Sequence, residues 1–341
     1  MKTGKRLTNL IKEILNKKKV VTIIANTMLI SFITYTLFLC VFYIIYNNPS
    51  LYKNSNFLLT FFRSHYQKTR SIIQFNRECS QYDSDLFYKM KNGECIHTQV
   101  EFKVLYKNNS FSLREREDIS GTKIVTLGDS FTIGYGVDQN QTFASIIEKI
   151  TGLKTINAGI SSYGTAREVL MFDRLLKTGN LSKLQYVIVQ YCANDYVENK
   201  FYVDNSFNLK VGREEFYNSL LDNDDRLSNL ENKLFYDIFG QPHSRLSATV
   251  PIVDLPQESY VQDDAEYERF IKILQKKILD NPLVSRQVKI VVFNVESYMG
   301  KTNFSKDVAA LLKSKEYRNI ADRIIVLDLS LIHISEPTRP Y

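Results

Sequence analysis

Residues 123–129 read KIVTLGD, a short apolar run that ends in glycine and aspartate. Two further short apolar runs are LKTINAGI (153–160) and LQYVIVQYCA (184–193). Between these runs, residues 141–150 and 165–179 have the apolar spacing of a helix packed on one face. Strands that alternate with amphipathic helices predict a parallel sheet with crossover helices, because a parallel connection has to cross a face of the sheet.

The alternation continues towards the C-terminus. Helices are predicted at 263–281 and 304–317, and strands at 288–295 and 323–329. The polar, irregular residues 196–262 are expected to form an insertion. The predicted α/β domain therefore covers residues 121–328 and holds five strands.

Two further regions come before this domain. We expect residues 47–120 to hold a juxtamembrane stalk, up to residue 66, and then a small β-rich region. In that region TQVEFKVLY alternates apolar and polar residues, and KNGE and KNNS are turn signals.

The N-terminus predicts a membrane anchor. Residues 20–46 contain no charged side chain, and residues 1–19 hold seven basic side chains against one acid. A span needs about 20 apolar residues, whereas the apolar part of a signal peptide has about 7–15. The run is also long for the alternative, a buried core helix. The positive-inside rule places the basic tail in the cytoplasm and the later residues outside, in the periplasm if the cell is Gram-negative. Six of the seven net positive charges lie in this tail, so we expect no nucleic-acid partner.

Cys79 and Cys95 enclose a short polar segment, and an oxidising compartment would allow them to pair. A disulfide that closes about 15 residues is worth roughly 3 kcal/mol in the chain-entropy model. A zinc site is the alternative, but with His97 the segment offers three ligands at most, and structural zinc takes four. We therefore predict the disulfide, and expect no metal and no cofactor.

Three strand ends carry residues suited to acyl transfer. Ser130 follows the first strand, Gly159 the second and Asn194 the third. Because ligands of parallel sheets bind beyond the carboxyl ends of the strands, all three face one crevice. A serine hydroxyl can attack an acyl carbon, and a glycine N–H and an asparagine amide can bind the oxyanion that forms. The alternative for any one of them alone is a helix cap or a turn residue. Asp129 is expected to hydrogen-bond the turn.

The segments IVTLGDSFTIGYGV, INAGISSYGTAREV and VIVQYCANDYVEN resemble the first three sequence blocks of the SGNH/GDSL hydrolase superfamily. The resemblance implies a flavodoxin-like three-layer α/β sandwich. It also implies that Ser130 is the nucleophile and that Gly159 and Asn194 are oxyanion donors. One departure is Cys192, where the superfamily usually has glycine, and it leaves the local backbone shape open.

The superfamily places its general base in a late D-x-x-H block, which this sequence lacks. His243 comes too early, and His333 stands five residues after Asp328. Residues 329–339, LSLIHISEPTR, resemble the in-frame translation of a transposase sequencing adapter. We therefore expect residues 329–341 to be an artefact, and the natural acid–base pair to be cut away after Asp328.

These observations predict a membrane-anchored ester hydrolase that is nearly inactive as printed. Its expected partner is an acylated small molecule or a cell-surface glycan. One alternative is an O-acyltransferase or deacetylase acting on cell-surface glycans. Another is a non-catalytic glycan-binding module on the same scaffold, because a fold does not fix a function.

Overall fold

The structure is a computed structural model that describes residues 2–46, 48, 51, 55, 72–99, 102–192, 194–228, 265–295 and 303–329. The chain divides into two compact units. One holds the N-terminal residues Met1–Tyr66, and the other holds Gln67–Thr338.

The N-terminal unit is dominated by one long helix, α1 (Lys2–Tyr46). Its segment Lys17–Ile45 has 29 residues and is long and apolar enough to cross a membrane. At about 1.5 Å per residue it exceeds the roughly 30 Å of a bilayer core. Its apolar side chains are mostly exposed rather than packed. By length and composition this helix fits a membrane span or a signal sequence.

The second unit contains nine strands and seven α-helices within the residues described. The strands are β1 (Ser80–Asp83), β2 (Phe87–Met90), β3 (Gly93–Thr98), β4 (Lys103–Asn108), β5 (Ile124–Leu127), β6 (Thr155–Asn157), β7 (Tyr186–Tyr191), β8 (Lys289–Asn294) and β9 (Ile324–Val326). The helices are α2 (Ser130–Ile133), α3 (Phe143–Thr151), α4 (Thr165–Lys177), α5 (Asp195–Asp204), α6 (Glu214–Ser228), α7 (Glu266–Leu274) and α8 (Phe304–Lys313).

Strands β5 to β9 form one parallel sheet in the order β6-β5-β7-β8-β9. The strand that comes first in the chain thus lies inside, with the second on one side and the third on the other, which is the flavodoxin-like order. Flanking helices complete an α/β sandwich, which confirms the predicted fold class. The inner strand β5 is buried along its whole length, as expected for a parallel strand covered on both faces.

The β-rich region before the sheet consists of two antiparallel hairpins, β1–β2 and β3–β4. Phe75, Phe87 and Tyr88 belong to the same hydrophobic core as residues of the parallel sheet. The domain boundary expected at residue 121 stays a prediction, but core side chains come from both sides of it. Cys79 and Cys95 are joined by a disulfide, with their Cα atoms 5.2 Å apart.

The expectation of an irregular insertion at 196–262 is wrong for its first part. Residues 195–204 and 214–228 are helical, as α5 and α6. Tyr202, Tyr217 and Leu221 are buried in the hydrophobic core, although many of the residues next to them in sequence are polar. They pack both helices against the rest of the domain. Residues 229–262 of the expected insertion lie outside the described residues, as do most of the expected stalk and residues 330–341 of the expected artefact.

Candidate active site

The turn after β5 is fixed by hydrogen bonds on both sides of Ser130. Asp129 Oδ1 accepts a hydrogen bond from Phe131 N (2.9 Å), so Asp129 caps α2 as the sequence indicates. Gln190 of β7 is buried, and its Oε1 accepts from Asp129 N (3.1 Å) and from Thr132 Oγ1 (3.0 Å). Ser130 is therefore the first residue of α2, half-exposed on a turn that the neighbouring strand holds in place.

Glycine is required just before this turn. A Cβ at Gly128 would lie 2.0 Å from Thr132 Oγ1 and 2.6 Å from Gln190 Oε1. A side chain at this position would break the contacts that hold the turn. Steric crowding therefore explains why glycine precedes Asp129 and Ser130.

The residues after β6 lie against α2. Ile160 N donates to Gly128 O (3.0 Å), which extends the pairing of β5 with β6 past both strands. A Cβ at Gly159 would lie 2.5 Å from Ile133 N, so the chain approaches α2 as closely as glycine allows. The structure thus brings Gly159 next to the helix that begins with Ser130.

The N–H of Gly159 already has a partner. It donates to Asn157 Oδ1 (3.0 Å), and Asn157 Nδ2 in turn donates to Thr132 O (2.7 Å). An oxyanion at this position would have to share the Gly159 proton with Asn157 or displace its side-chain oxygen.

Asn194 lies after β7, on the other side of β5 from Gly159. Asp195 N donates to Cys192 O (3.0 Å), which closes the turn in which the superfamily usually has glycine. Asn194 itself is exposed and stands at the N-cap position of α5, where its side chain makes no capping hydrogen bond. Ser130, Gly159 and Asn194 thus follow three adjacent strands; their catalytic roles stay predictions.

A buried group of charged side chains from α4 and α5 lies behind these turns. Arg167 pairs with Glu198, whose carboxylate also accepts from Arg167 N (3.0 Å) in the first turn of α4. The carboxylate meets amides that the start of a helix leaves unpaired. Thr165 Oγ1 donates to Asp195 Oδ2 (2.9 Å), which ties the first turn of α5 to that of α4. Because Asn194 immediately precedes Asp195, this contact helps to fix its backbone.

Glu168 is fully buried, and within the described structure neither of its carboxyl oxygens has a hydrogen-bond partner. Burial raises its pKa well above the usual range, and the charges of Asp195 and Asp129 raise it further. The pKa of Asp195 is raised for the same reasons, burial first and then Asp129. This environment favours the protonated form of Glu168 over the carboxylate. The buried charged side chains of α4 and α5 were not identified from the sequence. Their only sequence signal is the four charged residues within TARE and NDYVEN.

His97 is the one histidine among the described residues, and it serves the β3–β4 hairpin. Its Nε2 is 3.0 Å from both Tyr135 Oη and Gln99 Nε2. Burial lowers the pKa of His97 to about 4, so the ring is neutral at pH 7. These contacts engage Nε2 within this region, and the ring is fully buried. His243 and His333 lie outside the described residues. In the same described part, no group of three or more His, Cys, Asp or Glu side chains could hold a metal ion.

No protein-family model matches the chain, and no curated protein matches it. The structure is similar to a putative lipolytic protein of the G-D-S-L family from Desulfitobacterium hafniense DCB-2, with 13% identity over 61% of this chain and 78% of that one, at a TM-score of 0.30. It is also similar to AlinE4, an SGNH-hydrolase family esterase, with 13% identity over 64% of this chain and 82% of that one, at a TM-score of 0.31. Similarity at this level assigns no function; the fold class rests on the strand order.

Proposed function

We propose that this protein is a membrane-anchored serine hydrolase that cleaves ester bonds outside the cytoplasm. The observation that carries the proposal is the turn after β5. Ser130 begins α2 at the carboxyl end of the inner strand β5, Gln190 fixes the turn from one neighbouring strand, and Gly159 approaches α2 from the other. Crevices at this edge of a parallel sheet are where ligands bind.

In the proposed reaction Ser130 Oγ attacks the acyl carbon of an ester. The carbonyl electrons move onto oxygen, where the Asn194 amide and the Gly159 N–H donate hydrogen bonds. Collapse of this intermediate expels the alcohol and leaves an acyl-serine, which water hydrolyses. The side-chain oxygen of Asn157 has to yield the Gly159 proton as the oxyanion forms.

The Ser130 proton needs a base, and His97 is engaged elsewhere. We propose that the base is a histidine, oriented by an acid, that lies outside the described residues. A chain without that base should retain only the rate that oxyanion binding provides. In serine hydrolases that have lost triad members, this remaining catalysis is about 10³–10⁴-fold over water.

The test compares turnover of a short acyl ester by the full-length protein with turnover by Ser130→Ala and by a matched control, Ser182→Ala, at an exposed serine. We expect Ser130→Ala to abolish turnover and Ser182→Ala to leave it unchanged. A fluorophosphonate should label the peptide that contains Ser130. Equal turnover by the wild type and Ser130→Ala would rule out the nucleophile.

One observation favours a second candidate, a non-catalytic glycan-binding module. The Gly159 N–H is hydrogen-bonded to Asn157 rather than open to the crevice. If the protein binds acylated glycans without turning them over, this candidate holds. An acyltransferase or deacetylase of cell-surface glycans would share the serine chemistry. Transfer would be recognised because added sugar acceptors would divert the acyl group from water.

A further inference from the structure

The segment that follows Ser130 is held by one buried arginine from outside the parallel sheet. Arg114 is 1% exposed. Its Nη1 donates to Ile133 O (3.1 Å) and to Gly134 O (2.8 Å), and its Nη2 donates to Val137 O (2.7 Å). A single guanidinium therefore binds three backbone carbonyls within five residues of each other.

The carbonyls of Ile133 and Gly134 lie at the carboxyl end of α2, where a helix leaves its carbonyl groups without intrahelical partners, and Val137 follows in the next turn. A cation at this end also meets the negative pole of the peptide dipoles. The planar, forked guanidinium reaches several acceptors at once, which the point charge of a lysine does not.

Tyr106 of the β3–β4 hairpin supports the same segment. Its ring centroid is 4.1 Å from Arg114 Cζ, a cation–π distance, and its hydroxyl accepts a hydrogen bond from Gly136 N (3.2 Å). A Cβ at Gly136 would lie 2.9 Å from the ring of Phe102, so the hairpin contacts this backbone closely. The hairpin thus packs on the residues that follow the nucleophile.

Helix α2 is consequently held at both ends by different parts of the chain. At its start, Asp129 and Gln190 fix the turn from the parallel sheet. At its end, Arg114 and Tyr106 fix it from the region before the sheet. Because α2 has only four residues, a shift at one end is transmitted to the other.

We propose that Arg114 is a positioning residue for Ser130. Arg114 and the β3–β4 hairpin then contribute to hydrolysis by holding the segment that follows the nucleophile. The proposal rests on the proposed function, since it assigns a role relative to the nucleophile. Arg114 does not touch the substrate; it keeps the serine hydroxyl in line with the acyl carbon.

The experiment compares Arg114→Met and Arg114→Lys with wild type in the full-length protein. The matched control is Arg116→Met, which removes an arginine two residues away that pairs with Glu148 at the surface. A misplacement of about 1 Å at a reacting group can cost on the order of 10²-fold. We therefore expect kcat for a short acyl ester to fall about 10–100-fold in Arg114→Met with an unchanged KM. Arg114→Lys should recover part of the loss, and Arg116→Met should behave as wild type.

Tyr106→Phe is the gentler variant in case Arg114→Met does not fold. It removes only the hydroxyl that accepts from Gly136 N, and the loss of one hydrogen bond of about 1 kcal/mol corresponds to a roughly fivefold lower kcat. A variant whose kcat stays at the wild-type value, or whose loss appears in KM instead, would overturn the positioning role.

A second readout separates this inference from the function itself. In Ser130→Cys, iodoacetamide alkylation of residue 130 needs no catalytic base, and at about pH 9.5 the thiol is largely ionised. Peptide mapping distinguishes the introduced thiol from those of Cys40 and Cys192. We expect faster alkylation when Arg114→Met is added, because the turn is no longer held at its far end. Equal rates would refute the inference, whereas failure of the function would appear as turnover that survives Ser130→Ala.

Discussion

Replacing His97 by glutamine should remove a pH dependence from the stability of this protein. His97 is fully buried between the β3–β4 hairpin and the segment after α2. Its Nε2 is within hydrogen-bond distance of Tyr135 and Gln99, whereas its Nδ1 is buried without a partner among the described residues. Adding a proton would place a charged, unsatisfied N–H in this setting, which is costly.

The magnitude follows from the pKa. Burial lowers the pKa of His97 from 6.5 to about 4. A difference of about 2.5 pH units is worth about 3 kcal/mol. The folded protein binds fewer protons than the unfolded chain between these two values, so its stability falls as the pH is lowered through this window. The contribution of His97 is constant above pH 6.5, is lost progressively down to about pH 4, and changes little below that.

The assay is urea unfolding of the full chain in detergent at about pH 7, 5.5 and 4, which brackets the window. The chain has 21 tyrosines and no tryptophan, so tyrosine fluorescence and circular dichroism report the transition. Between pH 7 and pH 4, wild type should lose about 3 kcal/mol more free energy of unfolding than His97→Gln. Equal losses in wild type and His97→Gln would refute the reasoning.

Two further substitutions test the fold around the site. Burial alone would raise the pKa of Asp83, but hydrogen bonds from Arg174 outweigh it and lower this pKa to about 2. The pair therefore stabilises the fold above about pH 4, and its contribution is lost between about pH 4 and pH 2. Asp83→Asn should cost about 2 kcal/mol in urea unfolding at pH 7 and little at pH 2, and a cost that does not depend on pH would contradict this. Gly159→Ala would put a Cβ 2.5 Å from Ile133 N, so α2 has to move. We expect a loss of about 1–3 kcal/mol in thermal unfolding together with loss of ester turnover, and an unchanged melting temperature would contradict the close approach.

The parallel sheet could be predicted from the sequence because its signals are local. KIVTLGD, LKTINAGI and LQYVIVQYCA are short apolar runs, and each corresponds to a strand of the sheet. The helices α5 and α6 could not be predicted in the same way. Their buried positions, such as Tyr202 and Tyr217, are separated by charged residues, so the stretch looks like a polar loop until tertiary packing selects its buried face.

The candidate site, too, could be predicted from the sequence only in part. That Ser130, Gly159 and Asn194 follow adjacent strands could be inferred from the order of the strands and the rule for their carboxyl ends. The partner of the Gly159 N–H could not, because Asn157 has first to be fixed by the carbonyl of Thr132 in another segment. Hydrogen bonds between distant segments depend on the relative positions of elements, which the pattern of residues does not specify.

The buried charges show why function depends on these non-local contacts. Arg167 and Glu198 are 31 residues apart in sequence, and within the sequence alone each looks like an ordinary surface charge on a helix. Packing α4 against α5 removes both from water, and that is tolerable only because the pair is hydrogen-bonded. The same packing buries Glu168 near Asp195 and Asp129, which raises its pKa. Thr165 and Asp195 join the first turns of the two helices. The backbone of Asn194, directly before α5, is therefore held by α4, the helix that follows the strand end carrying Gly159.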